Sequence, residues 1–214
     1  MRVALINGSP KRKNSASEVI LGYLTDLLKQ EHELVNIHLN SPTPGTEELG
    51  LILGCDAAVW AFPLYVDGIP SHLIPSLLQL QELNAKEGTA PTIYALVNCG
   101  FYEGEQAKVA LQIMKNWASR ARLKWGQGYG LGAGGMFTSL KGVPLGAGPL
   151  KNLGKELNIL VTNICAGDSG PNSFVDPNFP RLAYKLSAEN SWRKQIRANG
   201  LRIKDLGRRT APKQ

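Results

Sequence analysis

The sequence predicts an α/β protein with a parallel sheet, and three observations carry that expectation. Near-continuous apolar runs recur at residues 2–7, 56–62 and 92–98, the composition of strands buried on both faces. Stretches with helical spacing alternate with them through the first two-thirds of the chain. The loops after these runs are rich in glycine, proline and hydroxyl residues, and such loops are where an open parallel sheet takes its ligands.

Taken in order, the first strand spans residues 2–7, with Val3, Ala4, Leu5 and Ile6 in a row. Residues 18–29 follow as a helix through Val19, Leu24, Leu27 and Leu28. Residues 33–39 alternate apolar and polar, as an edge-side strand does, and residues 56–62 and 92–98 are central strands. Between them residues 71–83 read as a helix. Pro70 suits its first turn, whereas Pro75 fits poorly because proline removes a backbone hydrogen bond. Residues 105–123 form a helix with Ala107, Ala110, Leu111, Met114 and Trp117 on one stripe. A fifth strand is expected at 125–131 and a helix at 150–164. A last helix covers 180–199, with Gly200 placed to end it. Residues 166–177 read as a loop. No internal repeat is present. Residues 1–170 are taken as the ligand-binding domain, with 171–214 as an extension of the same domain carrying one helix and a basic tail.

The bulk properties exclude several classes. The 43% hydrophobic content of the 214 residues predicts a buried core rather than disorder. No apolar run approaches the roughly 18 residues of a membrane-spanning helix. No extended apolar region follows Met1-Arg2 as a secretory signal would require, so a cytoplasmic protein is expected. Cys55, Cys99 and Cys165 are scattered and include no CxxC pair, which argues against structural zinc and iron–sulfur clusters. The net charge of +7 is localised: from Arg193 onward eight basic residues stand against Asp205 alone, which accounts for the whole excess. Such a tail suits nucleic acid, an anionic membrane or an acidic partner, or is simply a solvated helix end.

Three loops carry candidate chemistry. The first, residues 8–17, lacks GxGxxG and GxxxxGK[ST] but offers hydroxyls, cations and a helix N-terminus. Ser9, Asn14, Ser15 and Ser17 are placed to donate to a phosphate monoester, with Lys11 supplying charge. Ser15 and Glu18 equally fit a capping box. The second, residues 62–70, holds two prolines, a glycine and Tyr65, either a flat apolar wall or a tight turn in which Tyr65 packs. In the third, residues 98–104, Asn98 offers a donor and an acceptor and Gly100 permits close approach. Cys99 reads as packing, because no basic neighbour in sequence lowers its pKa. The glycine-rich run 130–135 is a close-approach segment or a plain connection.

With these residues in view, the chain resembles the NADPH-dependent FMN reductase family of flavodoxin-like NAD(P)H-dependent oxidoreductases. The likeness rests on Gly8-Ser9-Pro10-Lys11 through Asn14-Ser15, on Pro63-Leu64-Tyr65 through Gly68-Ile69-Pro70, and on Asn98-Cys99-Gly100-Phe101. It implies a flavodoxin-like three-layer sandwich: a five-stranded parallel sheet in order 2-1-3-4-5, helices on both faces and an appended C-terminal helix. It assigns Ser9, Lys11, Asn14, Ser15, Ala16 and Ser17 to the FMN phosphate. Pro63, Leu64, Tyr65, Val66, Asp67 and Gly68 would line one side of the ring, and Asn98, Cys99, Gly100 and Phe101 another. The implied reaction passes hydride from NADPH or NADH through FMN to a quinone, flavin or nitro- or azo-aromatic acceptor. It needs no side-chain catalytic residue and no metal. The resemblance also implies a homodimer, for which the aromatic-rich residues 174–184 are the expected contact; no membrane or nucleic-acid partner is expected, because the basic tail lacks regular aromatic interleaving. An electron-carrying flavodoxin is the competing reading, and the lack of an acidic surface argues against it.

Overall fold

In the computed structural model, which describes residues 1–87 and 90–207, the chain divides into two compact units that meet in sequence between Asn178 and Phe179. The first unit contains the sheet. Strands β1 (Arg2–Asn7), β2 (Glu33–His38), β3 (Ala57–Pro63), β4 (Thr92–Asn98) and β5 (Trp125–Leu131) pair in parallel in the order β2-β1-β3-β4-β5. A sixth strand, β6 (Ser173–Val175), then pairs in parallel with β5. The sheet therefore has six strands, not five. At three residues β6 is too short to show a periodicity, so it reads in sequence as part of a loop.

Alternation along the strands feeds two cores. On one face Ala4, Ile6, Trp60, Phe62, Ala95 and Val97 are buried. They pack under α2 (Thr46–Leu53), α3 (Leu73–Glu87) and α4 (Lys108–Arg120). On the other, Val3, Leu5, Val59, Ala61, Leu96 and Tyr129 meet α1 (Ala16–Leu28) and α6 (Lys151–Ala166). A sheet covered on both faces needs apolar residues at every strand position, which is why its strands read as unbroken runs.

The helices explain themselves locally. Because α3 begins at Leu73, Pro75 falls in its first turn, where no intrahelical acceptor waits for a backbone N–H. The sequence pattern missed α2, whose Leu49, Ile52 and Leu53 are buried. Its start is fixed by Glu48, whose carboxylate accepts from the Gly45 N–H at 3.2 Å. A short 3-10 turn (Gly104–Ala107) precedes α4, and Gly167 ends α6 in the left-handed conformation at φ 65°. Between β5 and α6 lies one turn of helix, α5 (Gly134–Phe137).

The second unit contains α7 (Arg181–Ala198), none of whose residues is buried, followed by a left-handed Gly200 at φ 72°. Three basic residues of the tail, Arg208, Arg209 and Lys213, lie outside the described residues. No described helix is long and apolar enough to cross a membrane.

One buried phenol gives the fold a pH signature. Tyr94 on β4 is fully buried, and its hydroxyl donates to the carbonyls of Asn163 (3.0 Å) and Asp168 (2.8 Å). Burial first, then the Asp168 carboxylate, pushes it up to about 12 from its ordinary value of about 10. The unfolded chain therefore releases this proton before the folded chain does. Stability is expected to hold up to about pH 10 and to fall from there toward 12. Urea midpoints from pH 9 to 12 should show that decline, and Tyr94→Phe should make it shallower.

Candidate functional site

Loops leaving the carboxyl ends of β1, β3, β4 and β5 enclose a cleft of about 320 Å³, within the range of small-molecule sites. It sits where strand order reverses between β1 and β3, the position at which open α/β sheets bind ligands.

The first wall is the loop after β1. Asn7 Oδ1 accepts from the Ser9 N–H at 3.0 Å, and the Ser9 carbonyl accepts from His38 Nε2 at 3.0 Å. A carbonyl only accepts, so that ring nitrogen carries the proton. Ser9 Oγ accepts from the Lys11 N–H at 3.3 Å. Asn14, left-handed at φ 58°, turns the chain into α1, with Ser15 as its N-cap. Ser15 Oγ accepts from the Glu18 N–H (3.0 Å), and Glu18 Oε2 accepts from the Ser15 N–H (3.3 Å). The capping box is thus present, and it is compatible with an anion site. The Ser15 hydroxyl keeps its own proton to donate. Among the described residues the amides of Ala16 and Ser17 meet no acceptor, and they lie at the positive end of the helix.

Ser9, Lys11, Ser15, Ala16 and Ser17 all line the cleft. Asn14 does not: its Oδ1 accepts instead from Lys141 Nζ at 2.7 Å.

The second wall is Pro63, Leu64 and Tyr65. Beyond them the Tyr65 and Gly68 backbones exchange two hydrogen bonds (3.1 and 3.0 Å) around Val66 and Asp67. Both of these are left-handed, at φ 48° and 60°. That conformation is strained for a β-branched residue, and the Val66 side chain is wholly exposed. Val66, Asp67 and Gly68 form the tip of this turn, outside the cleft wall.

The floor comes from β4. Asn98 is 5% exposed, and its Nδ2 donates to Ser17 Oγ (2.9 Å) and to the Phe62 carbonyl (3.0 Å). One amide thus ties the end of β4 to the first turn of α1 and to the end of β3. Asn98 lines the cleft, and both donors of its amide are used within the protein, one of them on Ser17. Cys99 and Gly100 also line the cleft, while Phe101 is exposed outside it. Cys99 Sγ donates to the Glu103 carbonyl at 3.4 Å. Burial foremost pushes the thiol up; the backbone hydrogen bond at Phe101 opposes it, and the Asp176 and Glu103 carboxylates add to it. It stays protonated and is a packing group rather than a nucleophile.

The fourth wall is the segment after β5, which contributes Gly134, Gly135 and Thr138. The glycines are legible in the sequence as a close-approach run. Thr138 carries no sequence signal, and Asn7 and His38 act through loop backbone that only the fold brings within reach. Arg12 lines a different groove, between α1 and β2, together with Asn36 and His38. Among the described residues no group of three or more His, Cys, Asp or Glu could hold a metal ion.

The strand order and the switch-point cleft define the flavodoxin-like class of α/β proteins. No protein-family model matches the chain, and no curated protein does. Solved structures do. An NADH:FMN oxidoreductase in its apo form is 16% identical, with 79% of this chain and 90% of that one covered, at a TM-score of 0.58. A Streptococcus mutans protein, Smu.1420, is 11% identical over 78% of this chain and 97% of its own, at 0.51. An NADPH-quinone reductase from P. pentosaceus is 14% identical over 78% and 97%, at 0.50. The chain shares the fold of these proteins.

Proposed function

We propose that this chain is an NAD(P)H-dependent oxidoreductase of the FMN reductase family, passing hydride through FMN to a quinone, flavin or nitro- or azo-aromatic acceptor. The observation that carries this reading is the convergence of an anion cradle and an apolar wall on one switch-point cleft. Ser9, Ser15, Ser17 and Lys11, with the amides of Ala16 and Ser17, suit a phosphate monoester. Pro63, Leu64 and Tyr65 suit the face of a flat ring, and the backbone at Cys99 and Gly100 suits its polar edge. FMN, when bound, supplies the hydride chemistry. The chain binds, orients and excludes water, and no side-chain acid or base is required of it. A homodimer is part of the proposal, and light scattering tests it.

The decisive experiment is to add FMN, record absorbance and flavin fluorescence, and then add NADPH anaerobically. A perturbed flavin band that bleaches supports the reductase reading. Binding without bleaching with either nicotinamide moves the protein to the electron carriers, and absence of binding overturns the site.

Glu18 offers a finer check. Its carboxylate occupies the Ser15 N–H beside the cradle, and a phosphate brought there meets that like charge. Glu18→Gln keeps an acceptor and removes the charge, so FMN affinity is expected to rise several-fold in a fluorescence titration. Unchanged affinity would place the phosphate elsewhere.

A further inference from the structure

Among the described residues that line the cleft, Lys11 is the one charged side chain. Of the three consecutive cations in the first loop, Lys11 alone lines the cleft, and Arg12 belongs to the groove between α1 and β2. Glu18 lines that groove with Arg12, and its carboxylate accepts from the Ser15 N–H. Another cation reaches the loop from far along the chain. Lys141 Nζ donates to Asn14 Oδ1 at 2.7 Å, on the residue next to the Ser15 cap.

We propose that Lys141 is the second cation of this cradle and sets its selectivity for a phosphate monoester over a flavin that lacks one. The inference rests on the FMN reading above. Three features support it. The segment that carries Lys141 forms a wall of the cleft through Gly134, Gly135 and Thr138, while Lys141 itself lines a separate groove with Tyr23 and Asp26 and reaches the loop through Asn14. An ammonium group has three donors, so Asn14 occupies one and two remain for phosphate oxygens. The position of Lys141 is also fixed relative to the cradle by α1 itself. Tyr23, on that helix, donates its hydroxyl to the Leu140 carbonyl at 3.2 Å, with the Val143 carbonyl at 3.5 Å. These two carbonyls bracket Lys141. Burial pushes the Tyr23 phenol up, so it keeps the proton this anchor needs. The helix that presents Ser15, Ala16 and Ser17 therefore also holds the segment bearing Lys141, and Tyr23 is a positioning residue for it.

The test compares FMN with riboflavin, which differ in the phosphate alone. Dissociation constants are measured by flavin fluorescence for the wild type, Lys141→Gln, Tyr23→Phe and the double variant, with a salt series for FMN. Lys141→Gln is expected to weaken FMN about tenfold, the scale of one charge-assisted contact, and to leave riboflavin within about twofold. Its FMN affinity should also fall less steeply with salt. Tyr23→Phe should weaken FMN in the wild-type background and add nothing in Lys141→Gln. Equal losses for FMN and riboflavin, or an unchanged FMN constant, would overturn the role of Lys141 while leaving the FMN site standing. A wild type that binds no FMN would overturn both.

Discussion

Gly132→Ala is expected to destabilise the protein by about 3 kcal/mol, because the added group meets backbone. A Cβ at this position would overlap the Tyr102 carbonyl oxygen. It would also stand 2.8 Å from that carbonyl carbon and 2.9 Å from the Gly104 nitrogen. All three are backbone atoms, which cannot rotate away as a side-chain terminus does. The Gly132 N–H donates to the Val175 carbonyl at 2.9 Å, so displacement of residue 132 is passed to β6. One residue further on, the Ala133 and Gly134 amides donate to the Phe101 and Cys99 carbonyls, which fasten the β5 loop to the β4 loop. Gly135→Ala is the control, since a Cβ there meets nothing within 4 Å, and it should change stability by less than about 0.5 kcal/mol. Urea denaturation of both variants decides the matter. Equal midpoints would mean that the two loops do not touch as described.

Asn98→Asp is expected to have an effect of similar size, and it acts on stability and binding together. The substitution preserves shape and turns a double donor into an acceptor. The Phe62 carbonyl, 3.0 Å from Nδ2, would face a carboxylate oxygen, and a buried charge would be left without a cation. A cost of about 3 kcal/mol or more follows. The new negative charge beneath Ser17 should also weaken FMN by more than tenfold. Asn98→Ala loses the same two hydrogen bonds without adding charge and should cost about 1–3 kcal/mol. An Asn98→Asp protein that holds FMN as the wild type does would remove Asn98 from the floor of the site.

The parts of this molecule legible in sequence are those dictated by local chemistry. The runs at Val3–Ile6 and along β3 and β4 are unbroken because both faces of those strands are buried, so composition alone marks them. Ser15 and Glu18 announce the start of α1 for the same kind of reason, since a cap is satisfied within four residues. What eluded the sequence depends on distant partners. Strand β6 exists because β5 offers an unpaired edge to three residues some forty positions later. The short α2 carries only three buried residues, too few for a clear periodicity. The pairing of Asn14 Oδ1 with Lys141, 127 residues away, has no local signal either. His38 reads as one polar position of an alternating strand, although it braces the Ser9 loop. In each case the site is set by pairings that the fold creates.

The brevity of β6 bears on how copies of the chain meet. A long, flat outer strand displays a row of unsatisfied N–H and C=O groups and invites a neighbouring sheet to continue it. Here the sheet ends at one side after three residues, Ser173 to Val175, and the flanking side chains face inward: Asn172 accepts from the Gly128 N–H and Asp176 from the Gly104 N–H. Little backbone is left to template another chain, and a row of strands running from one molecule into the next is disfavoured. Pairing of a second sheet along this edge is therefore disfavoured, and the proposed dimer is expected to form elsewhere than along β6.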